Sequence, residues 1–254
     1  MRVAITRGVS PNFERCELTH LEREAINIDL AREQHSRYEK CLRELGCDVK
    51  SLPPEPDLPD SVFVEDTAVV VEELALLTRP GAESRRPEIP SIAEVLGRYR
   101  HLARIVEPGT VDGGDVLVLD RKVFIGLSGR TNEDGVSQVR AVLEPVGYTV
   151  TAVPVRECLH LKSAVGRVGP GTLLINRRWV DGSAFGGMKL IDVDPAEPRA
   201  AGALLIADTV VYPARFKRTL RRLVRAGIRI VTVELSELAK AEAGVTCCSL
   251  VFDV

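Results

Sequence analysis

Ala243-Gly244-Val245-Thr246-Cys247-Cys248-Ser249-Leu250-Val251-Phe252-Asp253-Val254 is the stretch on which the architecture turns. Its second half, Ser249 to Val254, is a short apolar run that reads as a strand with no partner after it. Val3-Ala4-Ile5-Thr6, at the other end, reads as a strand with no partner before it. If the two pair, the amphipathic segment Leu30 to Leu45 (Ala31, Tyr38, Leu42, Leu45 on one face) and the strand Val49 to Leu52 complete a β-β-α-β unit.

Working inward, the same order recurs four times. Thr67 to Leu77 reads as a hairpin turning near Glu72-Glu73, followed by a helix over Ser91 to Ala103 and a strand at Arg104 to Val106. Val116 to Leu127 turns at Asp120-Arg121. A helical stripe of Val136, Val139 and Leu143 follows, then a strand at Tyr148 to Val150. Leu161 to Asn176 turns through Gly169-Pro170-Gly171; its helix is expected to be short because Gly182, Gly186 and Gly187 interrupt it, and Leu190 to Val193 is the exit strand. Ala203 to Tyr212 turns at Ala207-Asp208, with Phe216, Leu220, Leu223 and Val224 as the helix stripe and Ile228 to Val233 as the strand. Five units of this kind imply an α/β chain closed as a five-bladed propeller, a single domain over residues 1–254. Closure by the last strand also covers edges that would otherwise invite aggregation.

Composition narrows the class. The chain has 254 residues, 45% hydrophobic and 28% charged, enough for a sizeable core. Its formal net charge of −2, without a long Lys/Arg run, argues against nucleic acid as a partner. No apolar run reaches the ~18 residues of a membrane span, and the start lacks a signal-peptide core. The six cysteines show neither paired metal spacing nor a secreted disulfide framework, so a reducing cytoplasm is expected.

The chemistry-bearing residues stand at matching places, just before the first strand of a unit: Glu65-Asp66, Asp112-Gly113-Gly114-Asp115, His160, and Cys247-Cys248. Each has a plain structural explanation alone. A cysteine fills a core, an aspartate caps a glycine turn, and a histidine is satisfied in place. Around a pseudo-axis, however, equivalent positions converge, and a thiol, an imidazole and carboxylates then share one cavity. That set suits covalent acyl or amidino transfer: nucleophile, proton shuttle, and an acid that orients the shuttle.

On these residues the chain resembles the dimethylarginine dimethylaminohydrolase family of the guanidine-modifying (pentein) superfamily. The carriers include Arg7-Gly8, Asp60 to Ala68, Leu77 to Ala82 with Ser84-Arg85-Arg86, Asp112 to Leu117, Gly126 to Asn132, Leu159 to Ser163 and Thr246 to Ser249. The resemblance implies the five-bladed fold and hydrolysis of Nω-methylated arginines to citrulline and an alkylamine, with no metal or organic cofactor. It implies Cys247 as nucleophile, His160 as proton shuttle and Asp112 as its orienting acid. Asp66, with Glu65 nearby, would hold the guanidinium. Arg85 and Arg130 would hold the α-carboxylate, and Asp60 with the backbone of Leu18 the α-amino group. A further backbone contact through Ala241 is implied from the loop Leu238 to Gly244. Asp112 stands where some members carry Glu, which shortens its reach to His160. Cys248 should face away from Cys247, since strand neighbours alternate sides. The partners implied are a small methylarginine substrate and a second copy in a homodimer, with neither nucleic acid nor membrane. Arginine deiminase-like or amidinotransferase chemistry, and a non-catalytic ribosome-binding propeller, remain as alternatives. A Cys/His/Asp zinc site is entertained only as adventitious inhibition. Activity is expected to fall in acid between about pH 8 and 5 as His160 gains a proton.

Overall fold

The computed structural model describes residues 1–254. Its strands form five three-stranded sheets, each with one antiparallel and one parallel pair. The first is closed by the two ends of the chain: β15 (Leu250–Asp253) pairs antiparallel with β1 (Arg2–Arg7), setting Val3 against Phe252 and Ile5 against Leu250. β2 (Cys47–Leu52) lies parallel on the other side of β1, after helix α1 (Ile28–Glu44).

The next two sheets repeat this order. One holds β3 (Ala68–Val70), β4 (Leu74–Leu77) and β5 (His101–Arg104), with α2 (Ile89–Leu96) before β5. The other holds β6 (Val116–Leu119), β7 (Lys122–Leu127) and β8 (Thr149–Pro154), with α3 (Glu133–Leu143) before β8. In the fourth sheet β9 (Val165–Gly169) and β10 (Thr172–Ile175) precede β11 (Lys189–Asp192). Its crossover is only a 3-10 turn, Gly182–Phe185, as the glycines implied. The fifth holds β12 (Leu204–Ile206), β13 (Thr209–Pro213), α4 (Lys217–Arg225) and β14 (Arg229–Val233).

The cores show that these sheets close a ring. There are five buried apolar clusters, one between each successive pair of sheets. Leu76 and Val116 share one, and Leu117, Val165 and Leu173 share the next. Ala4 and Tyr38 from the first sheet's unit meet Val211 and Val233 from the last. A row of five sheets has four interfaces; five interfaces require closure. Burying both faces of each sheet removes apolar area at roughly 25 cal/mol per Å², the dominant favourable contribution to such a fold.

Several boundaries differ from the sequence expectation. The helix expected to reach Ala103 ends at Leu96, capped by Gly97, and the strand therefore comes earlier, at His101–Arg104. Parallel pairing with Leu74–Leu77 fixes that position against a helical period that happened to continue. The third exit strand starts and ends later than Tyr148–Val150, and Val224 is exposed rather than part of the α4 stripe. The third hairpin does not begin at Leu161: Leu161–Ala164 is a single helical turn, and β9 starts at Val165. That difference matters for the site.

Candidate active site

The turn before β9 has counterparts in three other blades. A backbone N–H bonds to the carbonyl three residues earlier in Asp66 to Phe63 (3.3 Å), Asp115 to Asp112 (3.0 Å), Ser163 to His160 (3.0 Å) and Ser249 to Thr246 (3.3 Å). This tight turn lets a chain arriving from outside drop into the innermost strand. It also points the side chains around it at the pseudo-axis. Glu65, His160 and Cys247 consequently line one cavity that opens to solvent.

His160 is buried and held from two sides. Its Nε2 lies 3.0 Å from Asp112 Oδ2, so the shorter aspartate does reach, and its Nδ1 faces Asp66 Oδ1 at 3.8 Å. Asp112 is fixed by Gly81 N–H (2.9 Å) and donates its own N–H to Thr131 Oγ1 (3.2 Å). Asp115 supports the same assembly: it accepts from Ser128 Oγ (2.6 Å), Thr131 Oγ1 (2.7 Å) and the N–H of Leu161, next to the histidine (2.9 Å). Burial alone would lower the histidine pKa. Asp66, the Asp112 hydrogen bond and Asp115 together outweigh it and raise His160 to about 9. The ring is therefore an imidazolium at neutral pH. The titration of His160 therefore lies on the alkaline side rather than in the acid range expected from the sequence.

Gly114 shows how close this packing is. A Cβ there would sit 2.5 Å from His160 Nδ1 and 2.7 Å from Asp66 Oδ1, so only glycine lets Asp66, the Gly114 N–H (2.9 Å) and the imidazole meet.

Cys247 keeps part of its surface open to the cavity, whereas Cys248 is fully buried in the core between the last and first sheets. The Cys247 sulfur accepts from Gly244 N–H at 3.3 Å, and its carbonyl accepts from Glu65 N–H at 3.1 Å. Burial, then the charges of Glu65 and Asp66, push the thiol up to about 12, so it rests protonated. Glu65 is shared: Lys162 Nζ lies 2.6 Å from one oxygen and Thr246 Oγ1 2.8 Å from the other. These three residues also border a second cavity, lined by the innermost strands along the axis. They form the septum between the two spaces.

The remaining residues singled out from the sequence lie elsewhere. Asp66 does not line the cavity; behind its wall it bonds Arg85 Nη1 at 2.6 Å. Arg85 is buried, with Nε and Nη2 on Glu88 (3.0 and 2.9 Å) and Nη2 also on the carbonyl of Phe63 (3.0 Å). Asp60 accepts the N–H of Glu17 through both oxygens (3.2 and 3.1 Å). Arg130 donates to Thr19 Oγ1 (3.1 Å), Leu18 packs against the first core cluster, and buried Ala241 turns its N–H to Leu238. None of these six residues lines the cavity. The loop Ser10 to Asn27 does reach it, through His20. That loop is tied down by Glu242, whose carboxylate accepts the N–H groups of Thr19 (3.1 Å), His20 (2.5 Å) and Leu21 (2.6 Å). Sequence reasoning gave no role to Lys162, Asp115, Trp179, Arg199, Arg215 or Glu242. Only the first two stood inside recognisable motifs.

Asp66, Asp112 and His160 also place three ligand-type atoms within 4.8 Å of one another. Each carboxylate is already engaged, Asp66 by Arg85 and Gly114 and Asp112 by Gly81 and His160, and Cys247 is outside the group.

Five ββαβ blades with a thiol, an imidazole and acids turned toward the axis define a pentein, the architecture of guanidine-modifying proteins. Comparison with known proteins agrees. Residues 12–177 match the family model described as N,N dimethylarginine dimethylhydrolase, eukaryotic. The N(G),N(G)-dimethylarginine dimethylaminohydrolase of Streptomyces coelicolor is 40% identical over 257 residues, covering 97% of this chain and 95% of that one. The Pseudomonas aeruginosa protein of the same name is 37% identical, over 87% and 88%. A solved structure of the latter enzyme, a cysteine-to-serine variant complexed with citrulline, superposes with a TM-score of 0.94 at 34% identity, covering 98% of each chain. The chain belongs to the dimethylarginine dimethylaminohydrolase family.

Proposed function

We propose that this protein hydrolyses Nω-methylated arginines to citrulline and dimethylamine or methylamine, through a covalent adduct on Cys247. The observation that carries the reading is the joint opening of Cys247, His160 and Glu65 into one cavity. The substrate's guanidinium is a cation, and Glu65 with Asp66 makes this region electronegative. Docking the cation there offsets the carboxylate charges that, after burial, keep the thiol protonated. The thiol then releases its proton to water and attacks the guanidinium carbon. His160, already an imidazolium with Nε2 anchored on Asp112, gives the proton on Nδ1 to the departing amine as the C–N bond breaks. The neutral ring next takes a proton from water, whose oxygen attacks the thiouronium carbon. The C–S bond breaks, and citrulline leaves. Asp112 orients the ring and stabilises its charge, as the acid does in other acid–His–nucleophile sites.

The reading keeps the amino-acid end with Asp60, Arg85, Arg130 and the backbones of Leu18 and Ala241, reached once the Ser10 to Asn27 loop moves. No step calls on a metal or cofactor. A single catalytic domain, a homodimer and a cytoplasmic setting belong to the same reading; six unpaired cysteines support the last, and no helix is long and apolar enough to cross a membrane.

The test is incubation with asymmetric dimethylarginine, free arginine and agmatine, scoring the ureido product. The methylated substrate should be turned over best and Cys247→Ser should abolish turnover, while Cys248→Ser should retain it. Full activity in Cys247→Ser would remove the nucleophile assignment.

A further inference from the structure

Asp115 is a carboxylate with no surface exposed, no place on the wall of either cavity and no cation within ion-pair distance. Burial raises its pKa to about 6, so at neutral pH it is still an anion. A buried charge is costly unless it is hydrogen-bonded and balanced. The balancing charge is the imidazolium of His160, close enough to feel Asp115 but not in contact with it.

Asp115 ends the same tight turn that Asp66, Ser163 and Ser249 end in three other blades, yet its side chain is spent between the third and fourth units. Its Oδ1 accepts the N–H of Leu161 (2.9 Å), which fixes the backbone immediately after His160. Its Oδ2 accepts from Ser128 Oγ (2.6 Å) and from Thr131 Oγ1 (2.7 Å). That Thr131 oxygen in turn takes the N–H of Asp112 at 3.2 Å. One carboxylate thus ties the residue that follows the histidine to the residue whose side chain holds the ring. Gly126 leaves the room for it: a Cβ there would sit 2.5 Å from Asp115 Oδ1 and 3.0 Å from the Leu161 side chain. Three carboxylates face the imidazolium, Asp66 and Asp112 at its two nitrogens and Asp115 behind its backbone. Around Asp115 itself stands, besides His160, the Cys158 thiol, which bonds the His160 carbonyl at 3.4 Å and which burial pushes up to about 12, leaving it uncharged.

We infer that Asp115 is a positioning residue of the proton-transfer step: through Leu161 and Thr131 it sets the His160 ring against Asp112, and it places a negative charge behind the imidazolium. It touches neither the substrate nor the reacting atoms and acts only through His160. Misplacing a proton donor by about 1 Å can cost on the order of a hundredfold in rate, so a bond made to the adjoining residue matters. This role rests on the proposed function for the reaction it serves, not for the link between Asp115 and His160.

Asp115→Asn keeps the shape, and an acceptor for the Leu161 N–H, while removing the charge. On asymmetric dimethylarginine it should lower kcat about tenfold or more, with KM changed less than about twofold. The pH at which His160 titrates should move down by about one unit. That titration is read by NMR of isotope-labelled histidine in Cys247→Ser, with and without Asp115→Asn, and so needs no turnover. An unchanged kcat overturns the role. So does a lost kcat with the His160 titration unmoved, which is what a purely structural residue would give. Should Asp115→Asn fail to fold, Thr131 decides. Thr131→Val cuts the link to Asp112 and leaves the charge, whereas Thr131→Ser keeps the hydroxyl. The valine variant should lose several-fold in kcat and the serine variant should match the wild type; equal activity in the two overturns the link. A wild type inert on dimethylarginine sinks the proposed function alone, because the NMR titration still tests Asp115.

Discussion

Replacing His160 by Gln should change how stability depends on pH. In the folded chain the histidine titrates near 9, against 6.5 for an unperturbed ring. A raised pKa means that folding favours the protonated form. The contribution is fully present below about pH 6.5 and fades as pH climbs through 9. At about 1.4 kcal/mol per tenfold change in proton affinity, the difference is about 3 kcal/mol. Asp66, Asp112 and Asp115 supply it against the opposing cost of burial. Urea unfolding at intervals from pH 6 to 9.5 reads the effect. Between pH 6 and 9 the wild type should lose about 3 kcal/mol more than His160→Gln, or roughly 1 M in midpoint for a chain of this size. Two curves that stay parallel across that range would mean that His160 is not held as an imidazolium. The source of the proton for the leaving amine would then have to be sought elsewhere. In turnover kcat/KM should climb with pH, because Cys247 must lose its proton, and level off near pH 9 as His160 loses its own.

Two further outcomes follow from the walls of the cavity. Glu242→Ala removes the acceptor shared by the N–H groups of Thr19, His20 and Leu21. It should raise KM several-fold and speed tryptic cleavage at Arg15 and Arg23, with little change in melting temperature; unchanged proteolysis would show that the loop is held by other contacts. Lys162→Met leaves buried Glu65 without its cation, a change that costs about 3–5 kcal/mol where the remaining charge has no other partner. Because Thr246 still donates to Glu65, a drop near the lower figure is expected by calorimetry, and no drop would mean that the pair adds nothing to stability.

The propeller was legible because hairpin turns and a lone strand at each end are local features, read from short windows around Asp120-Arg121 or Val3 to Thr6. Boundaries were less so. Nothing local told Arg100 that the parallel partner Leu74–Leu77 would draw the next four residues into a strand. Cys247, His160 and Glu65 were legible as a group because they precede equivalent strands, so the fold's symmetry brings them together. The mouth was not. Arg199 and Arg215 lie there in irregular loops, one next to Pro198 and one just past Pro213, with no spacing that marks them. The protonation of His160 was misjudged for a related reason. A pKa is set by neighbours in space, and Asp115 acts from another blade.

The closing strand β15 starts three residues after Cys247, and its partner β1 is made at the other end of synthesis. A ribosome-bound chain can therefore carry His160, Glu65 and Asp66 for many seconds before any thiol arrives to face them. The same final segment that locks the circle brings in the nucleophile, so no partly built molecule of this kind holds an armed cysteine.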